Sequence, residues 1–157
     1  MFGEVFIRQV EDSQKWLRRF LAGLCCGDNF LIDEIAQETF IKAYIAINNG
    51  IKYDNFKPWI LKIAYNTFLN YKRSQKAISD TEQLNNLESE YKADASFKYE
   101  KLYKALAQLP KKERTSTVLF YMEGYSSKEI AAIMETSEDS VRQALSRGRK
   151  KLKDLLN

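Results

Sequence analysis

No histidine occurs anywhere in the 157 residues. That excludes His-based catalytic triads, His-ligated metals and imidazole acid–base chemistry. The two cysteines, Cys25 and Cys26, are adjacent, so they can frame neither a disulfide scaffold nor a zinc site. They read as small apolar fillers of one core position. No apolar run approaches the roughly 20 residues that span a bilayer. The N-terminus also lacks the basic start, apolar stretch and small-residue cleavage site of a secretory signal, so the expectation is a soluble cytoplasmic protein without membrane insertion. Prolines are confined to Pro58 and Pro110, and strand-like alternation is nearly absent. With no catalytic constellation, the reading is of a non-enzyme with no cofactor, no metal and no small-molecule substrate.

What is present is ordinary globular composition, 45% apolar, with an uneven charge distribution beneath a net +4. Ser140 to Lys153 carries six basic residues and no acid, whereas Ser79 to Tyr99 carries five acids against two lysines. Apolar residues recur at helical spacing. Phe6, Val10, Leu17, Leu21 and Leu24 predict a first helix ending near Gly27-Asp28-Asn29. Ile32, Ile35, Ala36, Phe40, Ala43 and Ile47 predict a second, stopped by Asn48-Asn49-Gly50. Ile60, Ile63, Ala64, Phe68 and Tyr71 predict a third, with Pro58 just inside its start, where a missing N–H costs nothing.

The fold class expected is all-α, as two small helical domains. A three-helix domain spans 1–76, an acidic flexible linker 77–96, and a four-helix domain 97–157. In the last, Tyr99, Leu102, Tyr103 and Leu106 mark a helix stopped by Pro110, and Val118, Phe120, Tyr121 and Met122 belong to another closed by Gly124. Ser126 and Glu129 form a capping box for the next helix, with Ile130, Ala131, Ile133 and Met134 inward. Thr136-Ser137 caps the final helix.

Two short helices joined by a tight turn, the second strongly basic, match the requirements of a helix-turn-helix. At 100° per residue, Val141, Leu145, Gly148 and Leu152 share one stripe of the final helix, and its polar and basic residues spread across the other side. Such a helix offers its N-terminal residues to base edges and its later cations to phosphate. Arg142 and Gln143 are the base-reading candidates, with Ser140 and Ser146 as lesser ones, and Arg147, Arg149 and Lys150 are phosphate candidates.

The segment from Leu109-Pro110 through KKERTSTVLFYMEGYSSKEIAAIMETSEDSVRQALSRGRKKLKDLL resembles the promoter-reading C-terminal domain of extracytoplasmic-function (ECF) sigma factors, a group of the sigma-70 family. A two-component regulator could share that helix-turn-helix, so the N-terminal half decides. Asp33-Glu34-Ile35-Ala36-Gln37-Glu38-Thr39-Phe40-Ile41-Lys42-Ala43-Tyr44 resembles the sigma segment that docks on the polymerase clamp. Phe56-Lys57-Pro58-Trp59-Ile60-Leu61-Lys62-Ile63-Ala64-Tyr65-Asn66 resembles the segment that melts and reads the −10 element.

The resemblance implies a sigma factor that binds core RNA polymerase at its clamp and flap, directs it to −10 and −35 promoter DNA and promotes melting. It implies clamp docking by Asp33, Glu34, Gln37, Glu38 and Lys42. Opening DNA without ATP requires captured bases, because unstacking costs a few kcal/mol per step and stacking on an aromatic offsets roughly 1–3 kcal/mol per base. The −10 candidates are Lys52, Tyr53, Lys62, Tyr65, Asn66, Asn70 and Arg73, while Phe56 and Trp59 are open between core and DNA. Family relatives are often held by an anti-sigma protein and thread the linker through the RNA-exit path. The lack of an added C-terminal regulatory domain makes a separate regulatory chain the expectation here.

Several positions depart from the family pattern. Glu135 stands where the turn commonly has Gly, and a left-handed conformation costs Glu on the order of 1 kcal/mol. Gln143 and Ala144 replace a usual Ser and Arg, and Tyr65 and Asn70 replace a common Arg and Asp. Promoter sequence therefore does not transfer with the family. The competing readings are a stand-alone regulator, which would bind DNA without polymerase, and a polymerase accessory that no longer reads promoters.

Overall fold

The computed structural model describes residues 2–79 and 99–157, and every regular element among them is helical. Three long helices come first: α1 Phe2–Leu24, α2 Asn29–Asn48 and α3 Phe56–Ser79. Asp28 opens α2 by accepting the Leu31 N–H at 3.2 Å, as an N-cap should. The preceding reversal passes through two left-handed residues, Cys26 (φ 55°) and Gly27 (φ 83°). The first domain's core is built from the wholly buried Leu17, Phe20, Leu21, Leu24, Ile35, Ile60, Leu61 and Phe68. Cys25 and Cys26 are buried in it, as their expected role as fillers requires, and burial pushes both thiols up from their ordinary value.

Helix α3 continues to Ser79, a few residues past the expected domain edge near residue 76. Most of the expected linker lies outside the described residues. The second domain comprises α4 Glu100–Ala107, α5 Lys111–Thr117, α6 Ser127–Met134 and α7 Glu138–Leu156. Helix α5 runs on into a π-helical turn, Val118–Met122. That turn buries Val118 and Leu119 but leaves Phe120, Tyr121 and Met122 exposed. The capping box forms as predicted: Glu129 N–H donates to Ser126 Oγ, and Ser126 N–H donates to Glu129 Oε1 at 2.9 Å. The latter bond holds the Glu129 carboxyl below its ordinary value.

The two domains pack on each other. Helix α1 meets α4, α5 and the π turn, and α3 meets α6. One hydrophobic cluster runs through both, from Phe6 to Leu145. At Gly23 an added Cβ would lie 2.8 Å from Val118 Cγ2, so only glycine lets α1 come this near. Arg114 pins the same seam. Its guanidinium donates to the carbonyls of Leu106, Ala107 and Leu109 at the end of α4, and to Leu24 at the end of α1 (2.7 Å). These are carbonyls that helix ends leave without partners, and a cation suits that negative pole.

Candidate polymerase and nucleic-acid interfaces

Helix α7 separates its faces as its sequence predicts. Val141, Leu145 and Gly148 are buried against the domain, while Arg142, Gln143, Ser146, Arg147 and Lys150 are exposed. Ser137 caps the helix by accepting the Ser140 N–H at 3.1 Å. Arg142 is held by two acids of its own first turn, Glu138 (2.6 Å) and Asp139 (3.0 Å). Arg149 is exposed as well and donates to the Tyr121 hydroxyl at 2.8 Å. Ala144 is only 5% exposed, so the residue type there acts on packing and not on base edges.

On α3, Lys62, Asn66 and Arg73 share one helical stripe, and Asn70 lies beside it in the open. Tyr65 departs from expectation. It is 7% exposed, turned into the core beside Leu61 and Phe68, and burial raises its hydroxyl's pKa. It is therefore corrected from DNA contact to packing. Lys52 is exposed in the loop before α3. Tyr53 stacks on Trp59, with centroids 4.7 Å apart and planes 16° apart, and donates to Gln9 Oε1 at 3.0 Å. Phe56 joins the same aromatic group, and both it and Trp59 are half-buried.

The outward face of α2 carries Asp33, Glu34, Gln37 and Glu38, all exposed. Asp33 pairs with Arg18 of α1. Lys42 turns away from that face and donates to Thr67 Oγ1 of α3 at 3.2 Å. It borders a groove of about 230 Å³ that Glu34, Glu38 and Asn70 also line. Farther along α2 the same outer face becomes apolar through the exposed Ile41, Tyr44 and Ile45, which the charge pattern did not reveal. A second feature missed in the sequence is an apolar groove of about 500 Å³ on the other domain. It is lined by Leu102, Leu106, Val118, Met122, Leu152 and Leu156, with Arg149 and Lys153 beside them.

Carboxylates of the second domain cover part of the α3 surface. Glu123, whose side chain is wholly buried, takes a bidentate bond from Arg19 (2.9 and 3.1 Å) and lies 3.6 Å from Lys57 Nζ. The bond from Arg19 to Glu123 holds that guanidinium more firmly protonated. Lys57 also sits over the rings of Trp16 and Tyr125. Glu135 reaches Lys62 (3.6 Å) and accepts from Asn66 Nδ2 (3.3 Å). No sequence pattern couples residues this far apart, although the departure of Glu135 from glycine marked the position.

Among the described residues there is no group that could hold a metal, and no helix is long and apolar enough to cross a membrane. What these surfaces define is an all-helical DNA-binding protein with a helix-turn-helix and a second, aromatic and basic face. Residues 9–78 match the family described as Sigma-70 region 2, and residues 99–152 match Sigma-70, region 4. The chain is 32% identical over 145 residues to the ECF RNA polymerase sigma factor SigM of Bacillus subtilis, covering 88% of this chain and 87% of that one. It is 27% identical to the ECF sigma factor EcfG of Rhodopseudomonas palustris, covering 89% and 78%. In fold it resembles the sigma factor RpoE of Bartonella quintana, solved with the anti-sigma factor NepR, at a TM-score of 0.82 and 23% identity over 98% of this chain and 97% of that one. The chain belongs to the sigma-70 family of RNA polymerase sigma factors, in the ECF group. It binds core RNA polymerase, directs it to −10 and −35 promoter elements and promotes melting.

Proposed function

We propose a division of that work among four surfaces. The outer face of α2, from Asp33 to Glu38, docks on the polymerase clamp, with Lys42 at its edge. Lys52, Tyr53 and the α3 stripe of Lys62, Asn66 and Arg73, flanked by Asn70, hold melted −10 DNA. The exposed side of α7 enters the −35 major groove, where Arg142 and Gln143 read bases, Ser140 and Ser146 assist, and Arg147, Arg149 and Lys150 meet phosphate. The apolar groove between α4, the π turn and α7 receives the polymerase flap. The residues 1–76 and 97–157 act as separate modules, and 77–96 tethers them. The chain acts in the cytoplasm by binding alone, and an anti-sigma protein is the regulator this class of fold accepts.

The observation that carries this reading is the pairing of two sigma regions, in order, with a final helix that buries Val141, Leu145 and Gly148 and leaves its cations exposed. The test is transcription in vitro with purified core polymerase on a promoter library. New start sites that depend on the protein are expected. Reversing charge at Asp33 and Glu38 should weaken competition for core before it alters DNA binding. Unchanged competition would remove α2 from the docking role.

A further inference from the structure

The exposed face of α7 is not uniformly cationic. At 100° per residue, Asp139, Gln143, Ser146 and Lys150 form the stripe opposite the buried Val141, Leu145 and Gly148, and all four are exposed. Asp139 therefore stands one turn before Gln143, in the middle of the face assigned to DNA, with its side chain 85% exposed. The run of six basic residues without an acid begins at Ser140, so it misses this carboxylate by one position.

A carboxylate on that face has one kind of favourable partner. Phosphates repel it, and so do the acceptors O6 and N7 of guanine and O4 of thymine. Adenine offers its N6 amino group but sets the N7 acceptor beside it, and a carboxylate has no proton to give. Cytosine presents its N4 amino group alone. Arg142 Nη1 donates to Oδ1 of Asp139 at 3.0 Å, which leaves the second carboxylate oxygen for a base. Arg142 Nη2 donates to Glu138 at 2.6 Å, and most of the five guanidinium N–H groups stay free for a guanine edge. Asp139 and Arg142 are separated by a rise of about 4.5 Å along the helix axis, near the roughly 3.4 Å between successive base pairs. One turn of α7 thus sets an acceptor and a donor fork against adjoining pairs.

We propose that Asp139 is a specificity-determining residue of the −35 surface, accepting from the N4 amino group of a cytosine in the base pair next to the one that Arg142 reads. This role rests on the assignment of α7 to the −35 major groove. Arg142 steadies the carboxylate, and Glu138 keeps the guanidinium in place when Asp139 is changed. The first turn of α7 thereby reads bases while Arg147 and Lys150 hold phosphate. DNA that lacks the cytosine leaves a carboxylate facing acceptors.

The test uses the full-length chain bound to core polymerase, selected on promoter duplexes randomised across the −35 region and sequenced. Arg142→Ala locates the pair whose preference it abolishes. The parent should favour cytosine at a neighbouring pair by about tenfold, within the range for one mismatched pair. Asp139→Ala should flatten that preference and leave the pair read by Arg142 unchanged. Asp139→Asn should move it to adenine, because an amide pairs with adenine N6 and N7. An acid placed only to stabilise the start of the helix would give both variants a uniform loss on every sequence and a lower urea midpoint, with base preference unchanged, and that result would overturn the proposal. So would a parent that favours another base there, a cytosine preference that survives Asp139→Ala, or a loss confined to the pair read by Arg142. A parent with no base preference anywhere in the −35 region would overturn the assignment of α7 and the role of Asp139 together. Preference that depends on Arg142 but not on Asp139 would overturn the latter alone.

Discussion

Gly23→Ala tests the domain seam by adding a single carbon. The new Cβ would lie 2.8 Å from Val118 Cγ2 and 3.0 Å from Val118 Cγ1, and Val118 is wholly buried. Carbon atoms prefer about 3.5–4.0 Å, so the contact is short by more than half an ångström and one wall must move. Overpacking of this kind costs about 1–3 kcal/mol, while the gain from alanine in a helix offsets at most about 1 kcal/mol. A net loss of about 1–2 kcal/mol is expected. Val118→Ala alone removes two buried methyl groups, worth about 0.8 kcal/mol each, plus a cavity term, for about 2–3 kcal/mol. In the double variant the alanine methyl enters the space that valine vacates. The combined loss should then fall short of the sum by about 1–2 kcal/mol. Urea unfolding of all four proteins measures this, followed through Trp16 and Trp59, which both sit in the first domain. Additivity within about 0.5 kcal/mol would mean that the two residues do not touch, and the packed arrangement of the domains would be refuted.

Arg142→Ala should cost about 1–3 kcal/mol at one −35 base position, and Arg147→Ala should weaken binding to all sequences and lower the salt slope by about 1; titrations on a substituted duplex series at several salt concentrations read both. Thr115 Oγ1 is fully buried without a hydrogen-bond partner among the described residues, so Thr115→Val should raise stability by about 1–2 kcal/mol in urea titration, and a loss would reveal a partner for the hydroxyl. Burial raises the Cys25 thiol above its ordinary value of 9.0, so the unfolded chain releases that proton first as pH climbs. Stability should therefore be intact below about 9 and decline above it, a decline that Cys25→Ala should lessen; a thiol reagent should label native protein only as fast as it unfolds.

Much of this protein is legible along the chain because its determinants are local. Helix ends follow from Asp28, Ser126 with Glu129, and Ser137, each of which acts on a backbone N–H three residues away. The two faces of α7 follow from 3.6-residue periodicity alone. Fold class and sigma family were both readable, the second from motifs that keep their order. Tyr65 was misjudged because its helical angle lies at the border between the core and polar stripes, and only the surrounding packing settles which side a border residue takes. Phe56 and Trp59 were undecided for the same reason: an aromatic ring serves a core and a base stack equally well until its neighbours are known.

What the sequence by itself determined is the set of helices, their caps, the polarity of each face and the family they compose. Tertiary structure decided which of those faces are free. Lys62 and Asn66 are polar in the sequence and open on their helix, yet Glu135 meets them, and Glu123 is drawn out of water by Arg19 and Lys57. Pairing across 69 or 104 positions leaves no periodic trace, because it depends on how two domains sit and not on what either segment prefers alone.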